Sequence, residues 1–157
     1  GMAVVALEGV VGRVIRSGTD FSDVLTLLDS SSAIDSLLQR NRVRGVIEGQ
    51  GSPVLSMKYL RRTDDIQEGD VIVSSGIGGL FPKGLTIGKV ISVRKKNYGI
   101  SQLVEVTPSV DFNRLEEVTV IDPPKLPLDQ VTSEPIVPAA DSTKPEAKGK
   151  KENTSSP

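Results

Sequence analysis

Along the first 122 residues, branched aliphatic side chains come in short runs about ten residues apart, each run closed by Gly, Ser, Asn or Asp. Val4-Val5-Ala6-Leu7, Val10 to Arg16 and Val24 to Leu28 are the first three. Runs of this length, with no long stretch of helical periodicity between them, predict strands folded into a barrel or sandwich. Ser30-Ser31-Ser32 then makes a polar break. In Ala33 to Gln39 the spacing of Ile34, Leu37 and Leu38 fits a single helical turn behind a serine cap as well as a strand. Arg40-Asn41-Arg42 separates this set from Val43 to Glu48, Val54 to Leu60, Val71 to Ser74, Ile87 to Val93, Leu103 to Thr107 and Val118 to Ile121. In Val54 to Leu60, period-2 alternation puts Leu55, Met57 and Tyr59 on one face and Val54, Ser56 and Lys58 on the other. Six strands after residue 42 are enough to close a small barrel and remove its edges. Four strand candidates precede that point.

Composition narrows the chemistry. The chain has 157 residues, 37% hydrophobic, which suffices for one ordinary domain or two very small ones. Aromatics are only 3% and tryptophan is absent, so the core must be built from Val, Ile and Leu. There is no histidine and no cysteine. That excludes the usual zinc sites, thiol nucleophiles, disulfides and any triad with an imidazole base, and no residue pattern calls for a cofactor. With 19 basic and 20 acidic residues the net charge is −1, so no global field draws in nucleic acid or an anionic membrane. No apolar run approaches the roughly 18 to 20 residues that cross a bilayer. After Asp122 the chain turns to Pro, Ser, Thr, Lys, Glu and Ala, with few large apolar residues past Val137. Residues 123–157 are therefore expected to be a disordered tail.

The densest local signal is Ser74 to Lys89, where Gly76, Gly78, Gly79, Gly84 and Gly88 and Pro82 join two apolar runs. Glycines this close together serve where the chain turns with positive φ or lies against another backbone, and Pro82 fixes its own φ. Two phosphate-binding readings fail here. Gly76-x-Gly78 is followed by Phe81 at the third glycine position and runs into Pro82 and a strand; Gly79 and Gly84 have Walker spacing, but Leu85 stands where the lysine belongs. Ser74 and Ser75 lack a base and a Ser-x-x-Lys partner, so they read as turn caps. Asp64-Asp65 and Glu116-Glu117 are adjacent carboxylates that point apart on a strand and make no acid/base pair, and no calcium loop is present. Arg40, Arg42 and Arg44 share a face if the segment is extended; Arg61-Arg62 and Arg94-Lys95-Lys96 beside Tyr98 form basic hairpin tips. A nucleic-acid surface would add aromatic platforms to such a groove, and the chain has few. Ile77, Leu80, Phe81 and Leu85 remain: they either plug a barrel or present an apolar patch, and plugging is the reading favoured.

From Glu68 to Val90 the sequence resembles the signature of the MreC family of rod shape-determining proteins, GD-strand-TSG-x-GG-x-FP-x-GL-x-IG-x-V, with Ser74 where threonine is usual. Gly1 to Val5, Gly12-Arg13-Val14, Leu27-Leu28-Asp29 and Arg44-Gly45-Val46 follow in the family's order, as do Val106-Thr107-Pro108 and Leu115 to Val120, so the likeness covers residues 1–122.

The resemblance implies an all-β fold of two small tandem barrels, similar to the trypsin-like double barrel without its catalytic residues. Residues 1–42 would be the C-terminal part of a first, incomplete barrel, 43–122 a second six-stranded barrel, and Ala33 to Gln39 a strand. It implies a non-enzymatic scaffold at the extracytoplasmic face of the cytoplasmic membrane, reached through an N-terminal helix that this sequence lacks. Its partners would be further copies of itself, an elongation class B penicillin-binding protein, MreD, RodA and MreB, with no nucleic acid. Gly76, Ile77, Gly78, Gly79, Leu80, Phe81, Pro82, Gly84 and Leu85 form the signature corner and are the candidate partner-binding residues. The alternatives are a nucleic-acid-binding small barrel and a divergent double-barrel hydrolase.

Overall fold

In the computed structural model, which describes residues 1–95 and 97–123, the aliphatic runs form ten strands. They are β1 (Ala3–Ala6), β2 (Gly9–Ser17), β3 (Ser22–Thr26), β4 (Ala33–Leu38), β5 (Arg44–Glu48), β6 (Leu55–Lys58), β7 (Val71–Ser74), β8 (Thr86–Lys95), β9 (Gln102–Pro108) and β10 (Thr119–Ile121). Six of them, in the order β4-β5-β6-β9-β8-β7, close into a barrel, and β10-β1-β2-β3 make a four-stranded antiparallel sheet beside it. The all-β architecture of one closed barrel and one partial sheet matches the expectation.

The membership of the barrel does not. Ala33–Leu38 is a strand, and it closes the barrel by pairing with β5 on one side and β7 on the other, in register Ser36 to Ser74 and Leu38 to Ile72. The triplet Arg40-Asn41-Arg42, expected to mark the end of a first barrel, is the turn of the β4–β5 hairpin. Leu38 N–H donates to Val43 O, Arg42 N–H donates to Leu38 O, and Arg42 takes φ of 63°. At the other end of the chain Thr119–Ile121 leaves the barrel and pairs with β1, Val4 opposite Val120. A polar triplet is equally the mark of a tight turn and of a boundary, and strand spacing carries no information on which strands pair.

A second difference concerns Tyr59. Leu55 and Met57 are fully buried as expected, but β6 stops at Lys58, and Tyr59 adopts φ of 63°, which turns its ring out of the barrel.

Leu55, Met57, Ile72, Ile87, Val104 and Val106 fill the barrel, and Ala3 and Val10 of the sheet, with Leu27 just after β3, join the same core. The sheet is thus packed against the barrel through one face. Its other face carries Val4 and Val11 under Val110, with Phe112 and Leu115 alongside, all from the segment that follows β9. That segment crosses the sheet before adding β10 to its edge. The tail expected to be disordered lies, from Pro124 on, outside the described residues.

Candidate functional site

The signature corner runs from the end of β7 to the start of β8. Gly76, Gly78, Gly79 and Gly84 have φ of 82°, 83°, 70° and 91°, which L-residues rarely adopt. The fifth, Gly88, lies so close to β9 that a Cβ there would sit 2.1 Å from Thr107 O. Both uses of glycine expected from the sequence are therefore present.

Ser74 fastens this loop. Its hydroxyl is buried, donates to Pro82 O at 2.5 Å and accepts from Leu85 N–H at 2.9 Å, while its main chain makes two further bonds across the loop mouth: Ser74 N–H donates to Leu85 O, and Ser74 O accepts from Gly84 N–H. Ser75 Oγ accepts from Ile77 N–H at 3.2 Å. Both serines are engaged as turn caps, and Ser74, with its only hydrogen on a carbonyl and no solvent access, has no geometry for nucleophilic attack.

The apolar residues of the corner divide. Phe81 is 7% exposed and belongs to the barrel core, and Leu80 and Leu85 are half-buried against it. Ile77, Gly78 and Gly79 face solvent. The corner plugs one end of the barrel with Phe81 and leaves a small outer rim.

Beside the β4–β5 turn lies an ion-pair clamp that sequence reading missed. Arg40 Nε and Nη2 donate to the two carboxylate oxygens of Asp70 at 2.9 Å each, and Nη1 donates to Asp65 Oδ2 at 2.8 Å. Asn41 Nδ2 donates to Asp65 O at 2.6 Å, and Gln67 N–H donates to Asp70 Oδ2 at 3.0 Å. The Asp70 side chain is 9% exposed. Hydrogen bonding from Arg40 holds both carboxyls below the usual carboxylate range, and the same bonds, first those to Asp70, push the guanidinium further up. The clamp ties the β4–β5 hairpin to the loop before β7. It also dissolves the expected basic stripe: Arg40 is neutralised and Arg42 sits in a left-handed turn, so Arg40, Arg42 and Arg44 do not line an extended face. Residues 40 and 65 are 25 apart in sequence, and no local motif joins them.

The second basic cluster does assemble. The loop after β6 meets the tip of the β8–β9 hairpin, where Arg61 bridges Ser101 and Arg62 N–H donates to Ile100 O at 2.7 Å. Gln102, 4% exposed, donates through Nε2 to Arg61 O and Asp64 O. Asp64 Oδ2 in turn accepts from Arg61 N–H at 2.7 Å. Arg61, Arg62, Arg94 and Lys95 are exposed here; Lys96 lies outside the described residues.

Glu116 and Glu117 fall in the irregular segment before β10 and line a groove with Ala6 and Leu7. They are not on a strand.

Comparison with known proteins settles the lineage. The family model for the barrel core of the rod shape-determining protein MreC matches residues 1–122. The chain belongs to the MreC family. It is 34% identical over 134 residues to the cell shape-determining protein MreC of Haemophilus influenzae, an alignment that covers 85% of this chain and 38% of that protein. It therefore spans well under half the length of that relative. The crystal structure of MreC from Pseudomonas aeruginosa superposes with a TM-score of 0.75 at 31% identity, covering 77% of this chain and 79% of that one. A further fold neighbour is the MreC chain in a complex between Penicillin-Binding Protein (PBP2) and MreC from Helicobacter pylori, with a TM-score of 0.64 at 18% identity over 75% of this chain and 74% of that one. A threonine, which the resemblance expects at position 74, would carry a hydroxyl able to make the same two buried bonds.

Proposed function

We propose that this chain is the extracytoplasmic barrel region of a non-catalytic scaffold that positions or activates a peptidoglycan synthase during cell elongation. Membership of a shape-determining family over residues 1–122 carries the reading. The inventory supports it, since a chain without histidine or cysteine, whose best-placed serine is a buried fastener, has little with which to turn over a substrate. The Helicobacter pylori neighbour was captured with a penicillin-binding protein, which makes the elongation class B penicillin-binding protein the first partner to test. MreD, RodA and, across the membrane, MreB filaments complete the assembly in this proposal, as does self-association. Among the described residues the four-stranded sheet ends at β3 and β10, and such edges accept an added strand.

The signature corner enters as the lesser contact, through Ile77, Gly78 and Gly79 alone, since Phe81 is spent on the core. The test is a titration of the purified chain with the extracytoplasmic region of the class B penicillin-binding protein of the same organism, alongside sedimentation of the chain at increasing concentration. Saturable one-to-one binding is expected. Its absence, or turnover of peptidoglycan fragments by the chain alone, would refute the scaffold.

A further inference from the structure

Residues 109–121 cross the outer face of the four-stranded sheet and end on its edge, and the two halves of this segment are held very differently. The first half is anchored. Ser109 N–H donates to Ile87 O at 2.9 Å, and Val110, 3% exposed, packs on Val4 and Val11. Asp111 closes a turn, accepting from Asn113 N–H at 3.0 Å through Oδ1 and from Arg114 N–H at 3.1 Å through its carbonyl. Beyond Leu115 the hold weakens. Glu116, Glu117 and Val118 are exposed and make no hydrogen bond among the described residues. β10 has only three residues, of which Thr119 and Val120 are exposed and Ile121 alone reaches the main core. A groove of about 750 Å³, lined by Ala6, Leu7 and residues 116–119, separates this stretch from the β1–β2 turn. Water fills a space of that size where packing would otherwise hold the chain.

The charges along the groove push in the same direction. Glu8 of the β1–β2 turn lines it with Asp111, Glu116 and Glu117, and Arg114 is the one cation among the lining residues. Like charges facing each other across a solvated gap repel, by an amount that salt reduces. What the stretch covers is an edge of another kind. β1 reads Ala-Val-Val-Ala, uncharged and β-branched at its centre, with Ala3 and Val4 fully buried. Left open, such a strand pairs readily with an extended chain. β10 puts a poorer edge in its place: three residues, then Asp122 and Pro123, and a proline has no N–H to give to a ladder.

We infer that residues 116–121 are a releasable strap, loosened by the carboxylates along its groove, that masks the pairing edge of β1. The strap leaves β1 as a unit while the barrel and the rest of the sheet stay folded, and the anchored residues 109–115 remain in place as its root. Strand addition at Ala3–Val5 is thereby confined to the open state. The device goes beyond the scaffold reading and does not depend on it.

Native-state hydrogen exchange on the full chain tests it. The amides bonded across the β1–β10 ladder should share one protection factor, at least about 100-fold below those of β8 and β9 and insensitive to low urea, as a local opening is. That factor should rise with salt as the repulsion is screened. Protection within about tenfold of β8 and β9, protection that falls off residue by residue toward Ile121, or a decline with added salt would overturn the strap. A lock supplies the second arm. The chain has no cysteine, Val5 lies opposite Thr119, and directly opposed strand residues are close enough for a disulfide, so Val5→Cys/Thr119→Cys allows one molecule to be compared oxidised and reduced. The strand probe is a photo-crosslinking peptide that copies residues 116–122. It should label the reduced form at least about tenfold more than the oxidised form, because only a vacated edge accepts a strand. Equal labelling of the two forms, or no labelling of the reduced form, would show that β10 does not gate the β1 edge and would sink the inference.

Discussion

The signature corner and the two-loop tip, where residues 59–64 meet residues 97–101, lie at opposite ends of β8, a ten-residue strand, roughly 30 Å apart along its length. Both are loops that carry large apolar side chains, and in both the backbone is held by side-chain bonds to carbonyls: Ser74 to Pro82 O in the corner, Gln102 to Arg61 O and Asp64 O at the tip. The outcome is opposite. The corner folds Phe81 into the barrel and leaves little outside, whereas the tip keeps Tyr59, Tyr98 and Ile100 in water. What separates them is the backbone. Four glycines with positive φ let the corner double back over the barrel mouth, while at the tip a positive φ at Tyr59 diverts the chain outward just where alternation would have carried the ring in. An apolar residue in a loop thus has no fixed meaning until its backbone is known.

If the corner is a plug, its removal should be expensive. Phe81→Ala is expected to lower stability by roughly 3 to 5 kcal/mol, the loss typical of emptying a buried phenylalanine site, measured by urea denaturation. A loss below about 1 kcal/mol would place Phe81 with the tip residues as a surface contact. Next comes the fastener. Ser74→Ala leaves Pro82 O and Leu85 N–H without their partner and should cost roughly 1 to 3 kcal/mol, while Ser74→Thr, which keeps the hydroxyl, should change little. Equal losses in both variants would mean that packing around Ser74, and not its two hydrogen bonds, holds the loop.

The clamp bears on the same loop system from the other side of β7. Asp65 and Asp70 have carboxyls held below their ordinary pKa by Arg40, so the folded state binds protons less readily than the unfolded chain. The stability they contribute is complete above the ordinary carboxylate range, about pH 4, and is lost as pH falls through their depressed values. Asp70→Ala should cost about 1 kcal/mol at neutral pH, since the arginine it pairs with is open to solvent. It should also flatten the decline below about pH 4. An acid limb as steep as that of the unaltered chain would show that other carboxylates dominate it.

Much of this fold was readable in the aliphatic runs, because a strand's identity is written locally in period-2 alternation and turn residues. Every described strand overlaps a run found in the sequence, and the glycine corner announced itself by composition. Pairing was not readable. Ala33–Leu38 and Thr119–Ile121 exchange places between barrel and sheet because hydrogen-bond partners are chosen by the whole chain, and the polar triplet after Leu38 looks the same as a turn or as a boundary. The Arg40 clamp was hidden for a related reason: its carboxylates come from a loop 25 and 30 residues away. Tyr59 was misplaced because alternation assumes that a strand continues, and one left-handed residue ends it.

The smallest expected effect on stability is also the one that most sharpens the contrast between plug and tip. Tyr98 and Ile100 are almost wholly solvated, so removing them takes no area out of the core, and Tyr98→Ala/Ile100→Ala should shift the unfolding free energy by no more than about 0.5 kcal/mol. Tyr59 differs in a telling way. Its φ of 63° strains any residue with a Cβ, and Tyr59→Gly relieves that strain while loosening the unfolded chain. These two terms oppose each other, so the net change should again be small, and Tyr59→Gly should be at least as stable as Tyr59→Ala, which keeps the strain and loses the ring. Thermal unfolding of the two variants side by side measures the difference. If Tyr59→Ala proves the more stable, the ring is not being held outward against a backbone cost, and the contrast with the glycine-built corner loses its physical basis.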